Sequence, residues 1–168
     1  MTSFTEEKTP LQSEIADLLL NYNIGIKNQD FSRPWGGFIV IDEKDLKAFV
    51  EKFFPELLSK LSVSQNWSPK ILFVAPFQKL SWQYHHRRSE VWRVIRGKVG
   101  IFRSNTDEQG EQEILMEGDK VELQQGERHR LAGLDQWGII AEIWQHSDPD
   151  NFSNEDDIVR LEDSYGRT

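Results

Sequence analysis

Gln83-Tyr84-His85-His86-Arg87-Arg88-Ser89-Glu90-Val91-Trp92-Arg93-Val94-Ile95-Arg96-Gly97 is the most informative run in this chain. Side chains two apart on a strand share a face, so Gln83 and His85 project together. Glu90 follows a short turn and opens the next strand, from which it can return to the same place. A second run, Gly118 to Gly133, carries His129 just after the turn Gln124-Gln125-Gly126. An amide, two imidazoles and a carboxylate on neighbouring strands suit an open site for a divalent ion. The predicted metal ligands are therefore Gln83, His85, Glu90 and His129. The chain has no cysteine, which excludes disulfides and thiolate ligation. Zinc, manganese, iron and nickel are all compatible with these donors.

The surroundings of these two runs point to an all-β domain. From Lys70 onward, short segments rich in Val, Ile, Phe and Trp alternate with polar clusters. Strands are expected at Lys70–Ala75, Leu80–Tyr84, Val91–Arg96, Val99–Arg103, Gln112–Met116, Lys120–Leu123, His129–Leu131 and Gly138–Trp144, a pattern of a barrel or sandwich. Gly97 reads as a tight hairpin and 105–110 as a longer solvated loop. Two helices precede the strands. The first, about Pro10 to Tyr22, has an apolar stripe of Ile15, Leu18, Leu19 and Tyr22. The second starts at the N-cap Asp42 and carries Leu46, Phe49, Val50, Phe53 and Phe54 before Pro55 ends it. Within the tail, Asp156 to Leu161 fits either a helical turn or a last strand.

The 168 residues are the size of one domain. The division expected is a helical extension over 1–60, a barrel core over 70–145 and a C-terminal segment over 146–168. A formal charge of −8 argues against nucleic acid or an anionic membrane as partner, since both require a basic footprint. No run approaches the length of a membrane span, and the first residues lack an apolar signal core. A cytoplasmic protein is the expectation, and the aromatic second helix suggests a homodimer.

The spacing Gln83-x-His85-x4-Glu90-x6-Gly97 resembles the first cupin motif, with Gln in place of the first His. Gly118-x5-Gln124-x-Gly126-x2-His129-x3-Gly133 resembles the second, with Gln for Pro and Gly for Asn. The chain further resembles the cupin domain of type II mannose-6-phosphate isomerases, usually fused behind a sugar nucleotidyltransferase. The shared blocks are Arg33-Pro34-Trp35-Gly36, Leu80 to Trp92, His129-Arg130-Leu131, Glu142-Ile143 and Asp156 to Arg167. The resemblance implies a mainly β, double-stranded β-helix (jelly-roll) barrel with an N-terminal helical extension. It also implies metal-dependent aldose–ketose isomerisation of a sugar phosphate, with zinc as the first expectation for the metal. Candidate catalytic residues are Arg160, Glu142 and His86. Candidate phosphate or substrate contacts are Arg167, Arg88, Arg87 and Arg130, with Arg33 also considered.

The chain departs from the family pattern in several places. About two dozen residues, including the second helix, are inserted after Gly36. Arg87 and Val91 stand where the family often has His, and Trp144 where it has Gln. Plainer roles exist for several of these residues. His86 points away from His85 on a regular strand and reads as structural. His146 lies in a polar stretch and reads as exposed. Arg160 can pair with Asp156, Asp157 or Glu162. Arg33 to Gly36 reads as a rigid turn with a packed indole, and Trp82 and Trp92 as barrel packing. Two other functions fit the same motifs: a different metal-dependent cupin enzyme of oxygenase type, and a non-catalytic sugar-binding cupin.

Overall fold

The computed structural model describes residues 4–61 and 66–167. Its elements are α1 (Phe4–Asn21), β1 (Ile26–Asp30), β2 (Gly36–Ile41), α2 (Leu46–Phe53), β3 (Trp67–Val74), β4 (Trp82–His85) and β5 (Arg88–Arg96), followed by β6 (Lys98–Ser104), β7 (Glu113–Met116), β8 (Lys120–Leu123), β9 (Arg128–Gly133), β10 (Gly138–His146) and β11 (Ile158–Glu162). They form two antiparallel sheets, one ordered β1-β2-β3-β10-β5-β8 and the other β11-β4-β9-β6-β7. The jelly-roll barrel with helices on one side is as the sequence suggested.

Two cores follow from the alternation of β3 and β10. Leu72, Val74 and Ile140 point between the sheets and pack with Trp35, Trp92, Val94, Val99, Ile101, Leu123 and Leu131. Ile71, Phe73, Ile139, Ala141 and Ile143 point the other way, onto Ile15 and Leu19 of α1 and Phe49, Phe53 and Phe54 of α2. A strand covered on both faces needs no polar side, which accounts for the unbroken apolar runs in β3 and β10. The inserted helix α2 thus roofs the outer face of the larger sheet.

Several local expectations change. Helix α1 begins six residues before Pro10, whose ring has helical φ and removes one backbone bond. It ends at Asn21, and two residues on Asn23 adopts φ 56°. There Ile24 N–H donates to the Leu19 carbonyl at 2.9 Å, a left-handed cap that Asn tolerates. Tyr22 leaves the apolar stripe and is half exposed, with Lys52 Nζ 4.3 Å from its ring centre. Asp42 caps a short 3-10 turn (Glu43–Asp45) that leads into α2 rather than α2 itself.

Strands β1 and β2 had no clear sequence signature. The first, Ile-Lys-Asn-Gln-Asp, is mostly exposed and lacks alternation, and the second opens on two glycines. Gly36 has φ 146°, and a Cβ there would lie 1.8 Å from the Phe73 carbonyl oxygen, so only glycine permits this approach. Gly97 is a corner and not a hairpin: β5 pairs with β10 and β8, whereas β6 pairs with β7 and β9 in the other sheet. The tail resolves into both of its alternatives, a 3-10 turn (Glu155–Asp157) and then β11.

Candidate metal centre and cavity

One cavity opens between the sheets, and most of the polar side chains singled out by spacing line it. Arg160 of β11 is opposite Gln83 of β4, and Gln83 is opposite His129 of β9. On the facing sheet, Lys70 of β3 is opposite Glu142 of β10, which is opposite Trp92 of β5. Cross-strand partners share a face, so each sheet presents a polar row to the interior.

His85, Glu90 and His129 converge. His85 Nε2 lies 3.3 Å from His129 Nε2 and 3.2 Å from Glu90 Oε1. His129 Nε2 lies 3.6 Å from Glu90 Oε2. All three side chains are buried, and one ligand atom from each falls within 4.8 Å of the others. Ligands held at about 2.05 Å in a tetrahedron are separated by roughly 3.3 Å, so the observed edges fit a first-row divalent ion. The donor chemistry fits as well. His129 Nδ1 is 3.0 Å from the Glu127 carbonyl; donating there leaves the Nε2 lone pair for the cluster.

Electrostatics favour the same protonation states. Burial would push the Glu90 carboxyl up, but Arg88, His129 and His85 outweigh it and hold the group well below the usual carboxylate range. Burial lowers His129 to about 4, against the opposing pull of Glu90. Near neutral pH the triad therefore offers a carboxylate and a neutral imidazole, as metal binding requires.

Gln83 lines the cavity beside His129, and its Oε1 accepts from Ser81 Oγ at 2.6 Å. Arg88 is buried inside the triad's network and not at the cavity rim. Its Nε donates to Glu90 Oε1 at 2.9 Å, its Nη1 to Ser153 Oγ at 2.9 Å, and its Nη2 lies 3.1 Å from His85 Nε2. Its guanidinium carbon stands 3.5 Å from the Trp144 ring centre. Glu142 is buried with both oxygens engaged, Oε1 by Trp144 Nε1 at 2.7 Å and Oε2 by Trp92 Nε1 at 2.9 Å. Burial and the neighbouring Glu90 charge raise it to about 8, despite Lys70 and Arg88.

The remaining candidates divide cleanly. Arg33, Arg160 and Arg167 line the cavity with Glu90 and His129. Arg167 is tied to Asp163 at 2.7 Å and Arg33 to Asp30 at 3.0 Å. Three others are outside it. His86 is exposed and meets the Tyr84 ring edge-on, as the alternation of a strand requires. Arg87 turns outward to Asp157 at 3.5 Å and to the Asn151 carbonyl at 3.3 Å. Arg130 is fully buried but on the other face of β9 from His129. There it donates to the carbonyls of Leu80 (2.7 Å) and Glu162 (3.2 Å), a structural clamp and not a substrate contact. His146 is buried, contrary to its polar surroundings in sequence. Its Nε2 is 2.7 Å from Ser68 Oγ, its Nδ1 accepts from Ser153 N–H at 3.0 Å, and its ring stacks on Phe152.

Three residues of the site were not expected there: Lys70, which carried no motif, Trp92, read as barrel packing, and Trp144, noted only as a departure from the family pattern. The available signal was parity. Trp92 is two after Glu90 and Trp144 two after Glu142, so each shares its carboxylate's face. Lys70 interrupts an otherwise apolar strand flanked by buried residues.

A jelly-roll barrel with a His-Glu-His cluster from three strands inside its cavity defines a cupin that could hold a metal ion. More narrowly, the chain belongs to the family described as mannose-6-phosphate isomerase C-terminal, whose model matches residues 57–163. It is 31% identical over 137 residues to xanthan biosynthesis protein XanB of Xanthomonas campestris pv. campestris, covering 81% of this chain and 23% of that one. It is 27% identical over 141 residues to mannose-1-phosphate guanylyltransferase ManC of Salmonella typhimurium, covering 83% and 23%. The chain thus spans about a quarter of the length of these curated relatives. Among solved structures it resembles a mutant of Bacillus subtilis oxalate decarboxylase OxdC, with TM-score 0.55 and 13% identity, covering 80% of this chain and 30% of that one. That likeness concerns the fold alone.

Proposed function

We propose that this domain is a metal-dependent aldose–ketose isomerase acting on a sugar phosphate, of the mannose-6-phosphate type. The observation that carries the reading is the sharing of one cavity by Glu90 and His129 of the His85-Glu90-His129 cluster, the Glu142 carboxyl and the guanidinium groups of Arg33, Arg160 and Arg167. Gln83 is proposed as the fourth ligand, and zinc as the first metal to test. A divalent ion at the cluster would supply Lewis acidity towards a sugar carbonyl. Glu142, whose carboxyl is raised by burial to about 8, is the candidate for carrying a proton between adjacent sugar carbons. Arg160 and Arg167 are the candidates for the phosphate, whose oxygens match a forked guanidinium.

The test is proton exchange at C2 of mannose 6-phosphate and at C1 of fructose 6-phosphate in heavy water, followed by NMR with and without chelator. Metal-dependent exchange with interconversion is expected. No exchange with any hexose or pentose phosphate would refute the reading. A second reading has one observation in its favour: two His and one carboxylate is also the ligand set of non-haem iron oxygenases. Dioxygen consumption by the iron-loaded protein, with no exchange under anaerobiosis, would favour it.

A further inference from the structure

Lys70 is a cation on the cavity wall with its donors uncommitted. It stands at the centre of β3, opposite Glu142, and lines the same cavity as Glu90 and His129. Its neighbours are ring faces: Nζ is 3.4 Å from the Trp144 ring centre and 5.7 Å from that of Phe38. Among the described residues its ammonium has no hydrogen bond and no ion pair within 4 Å. The arginines around it differ. Arg33, Arg88 and Arg167 each spend donors on Asp30, Glu90 and Asp163. An ammonium has three donors and no acceptor, and taking one out of water without partners is costly. Aromatic faces offset part of that cost while leaving every N–H available. Burial also lowers the amine from its ordinary value, against the opposing charge of Glu142.

We propose that Lys70 is a catalytic residue of this site, donating a hydrogen bond to the oxygen that becomes anionic as the substrate enolises. This rests on the isomerase reading above. In the aldose-to-ketose direction the C2–H bond breaks and its proton passes to a base, for which Glu142 is the candidate. The bonding pair forms C1=C2, and the carbonyl pair moves onto O1, where the Lys70 N–H meets it. Return of that proton from the base to C1, with transfer of the O2 proton to O1 and formation of C2=O2, completes the isomerisation without net oxidation. A preorganised donor aimed at a developing oxyanion in a shielded site is worth about 100- to 1,000-fold in rate.

The experiment compares the full chain with Lys70→Met and Lys70→Arg, all loaded with the same metal. Two probes are titrated calorimetrically: a five-carbon aldonate phosphate, whose carboxylate mimics the enediolate, and the matching alditol phosphate, which has no such anion. Wild type should prefer the aldonate. Lys70→Met should lose that preference while keeping its alditol affinity, thermal midpoint and metal stoichiometry, with kcat down about 100-fold or more and KM changed less than threefold. Lys70→Arg should fall between the two. Retention of both the aldonate preference and kcat by Lys70→Met overturns the assignment of Lys70 alone. Loss of the preference on Lys70→Met, in a protein that never isomerises its sugar, leaves Lys70 as a cation that binds the carboxylate, and refutes the isomerase reading and the catalytic role with it. Failure of wild type to bind either probe overturns both.

Discussion

Replacing Arg88 with Met should destabilise the metal-free protein far more than the metal-loaded one. Arg88 is 2% exposed. It holds Glu90 Oε1 at 2.9 Å and Ser153 Oγ at 2.9 Å, and it reaches His85 Nε2 at 3.1 Å. Methionine keeps much of the stem volume but strands the buried Glu90 carboxylate. Removing one partner of a buried ion pair costs about 3–5 kcal/mol, or roughly 6–20 °C in thermal midpoint for a domain of this size. A divalent ion at the triad would draw on the same lone pairs of Glu90 and His85 that Arg88 engages. In metal-saturated protein the loss should therefore shrink to less than half. Linkage then requires the variant to bind metal more tightly by the same difference, and about 2 kcal/mol corresponds to roughly a 30-fold lower Kd. Urea denaturation with excess chelator and with saturating zinc or manganese measures the first quantity, and competition with a chromophoric chelator the second. Equal destabilisation with and without metal, or weaker metal binding by the variant, would refute the view that Arg88 and the ion engage the same atoms.

Gln83→Ala should weaken metal binding by about 10- to 100-fold, the range seen when a group orienting or joining a ligand set is lost; unchanged affinity by calorimetry would remove Gln83 from that set. Phe54→Ala, at a fully buried position between α2 and the larger sheet, should cost about 3–5 kcal/mol in chemical denaturation and leave metal stoichiometry intact. Asp157→Asn should cost about 1–3 kcal/mol at pH 7, because the carboxylate accepts from the backbone N–H groups of His86 (3.1 Å) and Arg87 (2.9 Å). Burial opposes the ionised form of Asp157, but Ser153 and those N–H groups hold it below its ordinary 3.8. Its contribution is therefore complete above the unfolded value and fades as pH falls through the lower folded one. The gap between variant and wild type should close on acidification below about pH 3.8, and a constant gap down to pH 2 would contradict this.

What could be read from the sequence, and what could not, separates along one physical line. Positions fixed by strand parity and turn spacing were legible: His85, Glu90 and His129 meet, and Gln83 lines a cavity with Glu90 and His129, as does Glu142, which the family resemblance supplied. Parity also explains why His86 faces away from His85, and Arg130 away from His129. The illegible parts depend on what covers a surface. His146 looks exposed in a polar stretch until the loop carrying Phe152 and Ser153 folds over it. Strand β1 lacks a pattern because only one edge of it is paired and little of it is buried. Gly97 could not be told from a hairpin because a corner between sheets and a turn within one need the same positive φ.

The C-terminal block illustrates how a stretch remote in sequence belongs to the centre of the site. Its Asp157 accepts from the two backbone N–H groups of the turn between β4 and β5, so it pins the corner that separates His85 from Glu90. The same carboxylate accepts from Ser153 Oγ, which in turn accepts from Arg88. Arg88 then reaches Glu90 and His85. The chain of contacts runs from the tail to the ligands through one buried guanidinium, with no solvent-exposed link. Strand β11, which follows Asp157 directly, sets Arg160 beside Gln83 in the cavity wall. One short segment therefore both braces the triad and supplies a cation to the cavity, so altering the 151–157 loop should perturb metal affinity even though none of its residues is a candidate ligand.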